Sequence, residues 1–260
     1  PIHFSGGSMN DEDYIWLKDY LQLDGVVYTL VPIKSKVDKN NPFDMGRIHW
    51  PTMYENVTNW EWGNIGTDKI YHDVETRRNS ITYRTNLIRL VENLYHNDEL
   101  EKAEEILDLG MEKTPLDKVG YVSTIEPYIQ FYYLLDAQEK ARDLYYQSAK
   151  DYQEYLKFYS SMAFEDKARN AQEVFRKYGQ YYSLMRLLNF FDPELAIEEY
   201  EIFNHHLDLL PEFFDEEDKY VGEAIESDSI PQDLLEDIER MQQEARQEAL
   251  QIEMDTTRLP

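Results

Sequence analysis

The chain has 260 residues and a formal net charge of −26, from 26 Lys plus Arg against 52 Asp plus Glu. That length and a hydrophobic share of 42% suffice for one large domain or two small ones. The acidity excludes a phosphate-neutralising nucleic-acid binder and a polybasic membrane-surface segment. With no cysteine, disulfides, thiolate catalysis and Cys-ligated zinc are excluded as well.

Texture divides the chain into three domains. Residues 1–75 hold six of the ten Gly and all four Trp, and they read as a small mixed α/β subdomain. Residues 76–212 are Tyr-rich and periodic, and read as helical repeats. Residues 213–260 read as an acidic linker followed by a C-terminal capping helix. The expected fold class is therefore mainly α, with a small α/β subdomain leading into tetratricopeptide-like helical hairpins, an α-solenoid.

In chain order, Ile2-His3-Phe4 predicts a short strand. Asn10 or Asp11 predicts the N-cap of a helix running to about Leu23, with Ile15, Trp16, Tyr20 and Leu23 near one face. Asp24-Gly25 predicts a turn, and the β-branched, aromatic run Val26–Val31 a strand that Pro32 ends. Residues 34–47 read as a loop.

The helical zone carries an internal repeat. Leu90, Leu94, Ala103, Leu107, Gly110 and Pro115 fall close to the 34-residue tetratricopeptide pattern. Ala103 is small where two antiparallel helices would cross, Leu107 fills the gap one turn later, Asn97-Asp98 makes the turn, and Pro115 stops the second helix. A second copy places Tyr132, Ala141 and Tyr145 at matching positions, with Asp136-Ala137 as its turn. A third, weaker copy uses Leu187, Ala196 and Tyr200, with Asp192-Pro193 as a helix start. The over-long interval between copies two and three predicts one extended or doubled helix over 151–178. An ordinary helical bundle is the alternative. Beyond the charge run Asp215–Asp218, Pro231 opens a helix with Leu234, Ile238, Met241, Ala245, Ala249 and Ile252 on one stripe, read as a capping helix or a coiled-coil seam.

Several groups invite a chemical reading. Trp50, Trp60 and Trp62, with Tyr54 and interleaved Asn residues, can stack on sugar rings and form a glycan-binding platform. The competing reading packs these rings at the junction between the first zone and the helices. Glu201 and His205 stand one helical turn apart, as metal ligands can, but no second ligand pair accompanies them, so no metal site is assigned and a helix-end His is expected. Arg77, Arg78, Arg84 and Arg89 form the densest cationic stretch, expected to pair with the abundant carboxylates, with anion binding as the alternative. No HExxH, GxSxG, Walker or GxGxxG motif is present, so no catalytic residue and no cofactor is assigned.

No uninterrupted apolar run approaches the roughly 18 residues that a membrane helix needs, and no signal peptide is visible. The start at Pro1, without an initiator Met, reads as a fragment or a processed product. Absence of Cys suits cytoplasm and periplasm alike.

The strings Pro1–Phe4, Lys18–Gly25, Tyr28–Ile33, Asp44–Ile48, Met53–Val57, Tyr71–Asp73 and Arg84–Leu90 resemble the soluble C-terminal region of a bacterial family of multi-pass membrane proteins. The membrane part of that family is related to protein O-mannosyltransferases, which use lipid-linked sugar donors. The resemblance covers residues 1 to about 150 well and the rest loosely. It implies a periplasmic tail, with sugar transfer carried out by a loop acid in a membrane half outside this sequence. It further implies hairpins that dock a protein or peptide partner, and Arg89, Tyr128 and Tyr132 are the candidates on their concave face. A glycan or lipid-linked sugar is the alternative ligand. In such bacteria O-glycosylation falls on Asp-Ser/Thr followed by an apolar residue or Thr, a pattern that Ser229 and Thr256 fit as acceptors.

Overall fold

Alternation, rather than helical spacing, governs the segment after Tyr20. Leu21 and Leu23 are fully buried and Gln22 between them is not, which is the period of a strand. The computed structural model describes residues 2–5, 15–35, 45–63, 67, 70–214 and 218–219. It shows a mainly α fold with a small N-terminal sheet. The expected helix over about 10–23 is therefore corrected. Ile15–Tyr20 is a 3₁₀ helix, and Leu21–Leu23 is strand β2.

The other strands are β1 (His3–Ser5), β3 (Val27–Leu30) and β4 (Arg47–Ile48), in the sheet order β1-β3-β2-β4. β1 and β2 each pair antiparallel with β3, with His3 opposite Thr29 and Leu23 opposite Tyr28, while β4 runs parallel to β2. The predicted Asp24-Gly25 turn joins β2 to β3: Gly25 has φ +106°, and the Asp24 N–H donates to Val27 O at 2.9 Å. The Asp24 carboxylate then accepts from Gln22 Nε2 and Thr29 Oγ1 across the hairpin.

Helices α1 (Trp50–Thr58), α2 (Val74–His96), α3 (Leu100–Lys113), α4 (Leu116–Val119), α5 (Glu126–Leu134) and α6 (Gln138–Ser160) follow. Asp73 caps α2 by accepting from Thr76 N–H at 2.7 Å. The buried face of α2 includes Ser80, Arg84, Leu87, Val91 and Leu94, a three-four spacing. α3 buries Ala103, Ile106, Leu107 and Gly110. The α2–α3 and α5–α6 hairpins close with the same turn. Asp98 and Asp136 both take the left-handed conformation, at φ 59°. In each the N–H of the next residue, Glu99 or Ala137, reaches back to Leu94 O or Tyr132 O. This is the Schellman arrangement with Asp in the place glycine usually takes. Ala103 and Ala141 are both fully buried after these turns, as are Leu107 and Tyr145 one turn later.

The chain divides into two compact units, Pro1–Asp151 and Tyr152–Pro260, with the boundary inside α6. The second contains the end of α6, α7 (Phe164–Arg169), α8 (Ala171–Phe191) and α9 (Pro193–Asp208). No single helix spans 151–178. α6 stops at Ser160, where the hydroxyls of Ser160 and Ser161 bond back to Lys157 O and Phe158 O and compete with the helical ladder. Asp192 caps α9 ahead of Pro193, as predicted. In the third copy Ala196 is buried as expected, but Leu187 and Tyr200 are only half-buried and the core of this hairpin uses Leu188 and Phe203 in their place. The stripe from Leu234 to Ile252 and residues 215–217 of the charge run lie outside the described residues. No helix among those described is long and apolar enough to cross a membrane.

Two helical glycines give a test of packing against propensity. A Cβ on Gly110 would sit 2.8 Å from the Tyr128 hydroxyl, and Tyr128 is fully buried and has nowhere to retreat. A Cβ on Gly179 in α8 would meet nothing within 4 Å. Helix propensity alone favours Ala at either site by about 1 kcal/mol. The expected result is that Gly110→Ala destabilises by about 1–3 kcal/mol, while Gly179→Ala stabilises by about 0.5–1 kcal/mol. Urea unfolding followed by helical circular dichroism checks both signs.

Candidate functional site

The inner face of α3 is fixed from below. The Arg84 guanidinium, fully buried, donates to Thr114 O at 2.5 Å, Gly120 O at 2.7 Å, Thr124 Oγ1 at 2.9 Å and Thr114 Oγ1 at 3.2 Å. Both hydroxyls pass a hydrogen bond on, Thr114 to Gly110 O and Thr124 to Tyr121 O. Thr114 and Gly120 close the C-termini of α3 and α4, so the cation meets the carbonyls that carry the negative end of each helix. Among the described residues this arginine makes none of the expected carboxylate pairs. Burial pushes its pKa down to about 10, which still leaves it charged at neutral pH. Tyr128 donates to Arg84 O and lies against Gly110, locking α2, α3 and α5 together.

With that face held, α3 presents the opposite one. Glu101, Glu104, Glu105, Asp108 and Glu112 recur at helical spacing and line an open trough of about 440 Å³ with Thr58 and Leu109. A second cleft of about 340 Å³ lies on the other side of Asp108. Met111, Pro115, Leu116 and Leu144 give it apolar walls, and Tyr132, Lys140, Asp143 and Gln147 complete it. Asp108 belongs to both. It accepts from the Tyr132 hydroxyl at 2.9 Å and from Lys140 Nζ at 2.7 Å, and Lys140 also donates to Glu104 at 2.8 Å. Burial opposes the charge on Lys140, but the hydrogen bonds to Asp108 and Glu104 outweigh it and raise its pKa. Burial, then Asp108, raises that of Tyr132. On the trough side Tyr54 donates to Glu105, which pushes its phenol up to about 12. Lys102 lies 4.5 Å from the Trp50 ring centre and bonds Glu99 at 2.6 Å.

The residues singled out from sequence are distributed as follows. Tyr132 borders the apolar cleft, while Tyr128 is wholly inside the fold. Arg89 is half-buried and donates to Gly46 O at 3.0 Å, tying α2 to the sheet. Trp50 and Tyr54 come together on α1 beside Lys102. Trp60 and Trp62 form a separate triangle with Tyr83 of α2, with ring centres 5.2–6.3 Å apart, and Trp60 also covers Gly25. These two rings pack the junction between the N-terminal zone and the helices. Ser229 and Thr256 lie outside the described residues. His206 bonds back to Ile202 O within α9, and burial lowers its pKa. Among the described residues no group of three or more His, Asp or Glu could hold a metal ion.

Sequence reasoning missed the acidic stripe of α3 and the place of Lys140. The stripe was visible as carboxylates at i, i+3, i+4, i+7 and i+11, but in a chain this acidic its spacing does not stand out from chance pairs.

Residues 1–51 match the family described as TMEM260-associated domain 2. That range contains all four strands and ends at the start of α1. No curated protein and no solved structure matches the chain.

All four Trp lie in the first unit, so tryptophan fluorescence reports on the unit that Arg84 organises. Arg84→Met is expected to cost it about 3–5 kcal/mol in urea unfolding, because buried carbonyls and hydroxyls lose their donor. Arg84→Lys should recover only part of this, since an ammonium has three donors on one atom and cannot reach Thr114, Gly120, Tyr121 and Thr124 together. Alkaline pH gives a second test. An unfolded phenol ionises near 10, whereas Tyr54 is pushed up to about 12 and Tyr128 and Tyr132 are also raised. Folded chains therefore hold protons that unfolded chains release, and stability falls as pH rises above 10. Arg84 acts in the opposite sense but is outnumbered, because Lys140, Tyr159 and Tyr178 are raised as well. The urea midpoint is expected to drop between about pH 10 and 12.

Proposed function

We propose that this chain is a non-catalytic interaction module of a membrane-embedded O-mannosyltransferase-like protein, lying on the periplasmic side and docking acceptor or partner proteins. The observation that carries the reading is the repeated hairpin. α2–α3 and α5–α6 share one turn geometry and one pattern of small and large buried residues, and α3 lines two open clefts, one beside Thr58 of α1 and one facing α5 and α6. An open cleft between adjacent hairpins offers a binding surface of the kind tetratricopeptide-like arrays use. The match of residues 1–51 to a TMEM260-associated domain supports the link to the parent, that family being connected with O-mannosyltransferase-like proteins. The chemistry of sugar transfer is assigned to the membrane part of the parent, and the module supplies the acceptor.

The test compares the parent with and without these residues in its own host, reading sugar occupancy on acceptor proteins by mass spectrometry. Deletion should abolish acceptor modification while the membrane part is still made and inserted. The purified chain should transfer no mannose from a lipid-linked donor. Transfer by the chain alone, or unchanged acceptor occupancy after deletion, overturns the reading.

A further inference from the structure

The surface beside α3 also specifies the chemistry of what it holds, an inference that rests on the interaction reading above. The cleft between α3 and α6 has an apolar floor of Leu116 and Leu144, both buried, with half-exposed Met111 and Pro115 as its wall. Its rim is acidic, with Asp108 on one side and Asp143 on the other. Past Asp108 the trough continues with Glu101 and Glu112, both exposed. Glu101 makes no ion pair among the described residues, and Glu112 pairs only with its neighbour Lys113. Across both clefts the one cation in the lining is Lys140, and it already sits on Glu104 and Asp108.

An aliphatic pocket bordered by carboxylates is complementary to one kind of ligand. The geometry points to a cationic peptide segment, with an aliphatic side chain seated on Leu116 and Leu144 and flanking Lys or Arg residues on Asp143, Glu101 and Glu112. A second copy of this chain is a poor occupant, because it brings a further net charge of −26 to an acidic surface. Nucleic acid is repelled for the same reason. The interaction is expected to be fast and salt-sensitive, with the apolar anchor setting register.

The test uses the full chain and a fluorescein-labelled probe peptide in which one Leu is flanked on each side by two Lys, followed by anisotropy near 0.15 M salt. Saturable binding is expected. Neutralising the trough with Glu101→Gln and Glu112→Gln together should weaken it about fivefold to tenfold. Met111→Ser, which changes no charge, should weaken it about threefold. A control pair on exposed carboxylates of α9, Glu194→Gln with Glu198→Gln, removes the same charge elsewhere and should leave Kd unchanged. Equal weakening by the control pair, or no effect of the α3 pair, overturns the inference. A random displayed-peptide selection separates the two levels. Enrichment of non-basic peptides indifferent to Glu101 and Glu112 would sink this inference and leave the interaction module standing. Failure to enrich any peptide would remove both.

Discussion

The first unit is organised around a positive charge without a negative partner. Arg84 enters from α2 and is held by oxygens that belong to the ends of two other helices and to the 3₁₀ turn that follows the second of them. Moving a guanidinium out of water costs several kcal/mol, and only a full set of acceptors offsets it. Here the acceptors are carbonyls already orphaned at helix C-termini, which would themselves need donors. Two deficits cancel: the arginine satisfies the helix ends, and the helix ends solvate the arginine. Because every acceptor is neutral, acid cannot remove them by protonation, and the joint is indifferent to pH below neutrality. Tyr128 extends it by donating to Arg84 O while filling the notch left by Gly110. The acidic face of α3 owes its position to this joint.

The two hairpins of the first unit are built by a shared local device. A left-handed Asp closes the first helix, an Ala five residues on lets the second helix approach, and a large residue one turn later fills the space. Leu107 does this in one hairpin and Tyr145 in the other, so the larger ring accompanies the more aromatic partner helix. In the second unit the device is replaced. Asp192 caps a helix start, and the core is aromatic, with Tyr181 against Phe203 at 4.8 Å and Tyr178 against Phe214 at 4.7 Å.

What the sequence disclosed follows from the range of the forces involved. Turns and caps depend on neighbouring residues, and Asp24-Gly25, Asn97-Asp98, Asp136-Ala137 and Asp192-Pro193 are all turns or helix starts where read. The Ala103 and Ala141 positions were legible because close helix crossing imposes size. The strand at Leu21–Leu23 was not, since three residues fit either period until β3 supplies a partner. The break at Ser160–Ala163 turned on serine hydroxyls bonding back to carbonyls, which composition alone does not reveal. Arg84 was visible as a cation among cations, but its partners stand 30 to 40 residues away and are uncharged. The family resemblance drawn from the first 150 residues finds a match only over residues 1–51.

The placement of Lys140 gives the acidic face a built-in rival. Its ammonium is tethered to the fold beside Glu104 and Asp108, so its local concentration is on the order of millimolar or more, independent of what the solution contains. A lone solution cation must outcompete that tether for the same oxygens. A ligand with several charges need not, because it can engage Glu101, Glu112 and Asp143 first and reach Asp108 last. At Glu104 and Asp108 such a tether disfavours monovalent ions and single amines relative to a ligand that carries its charges in series.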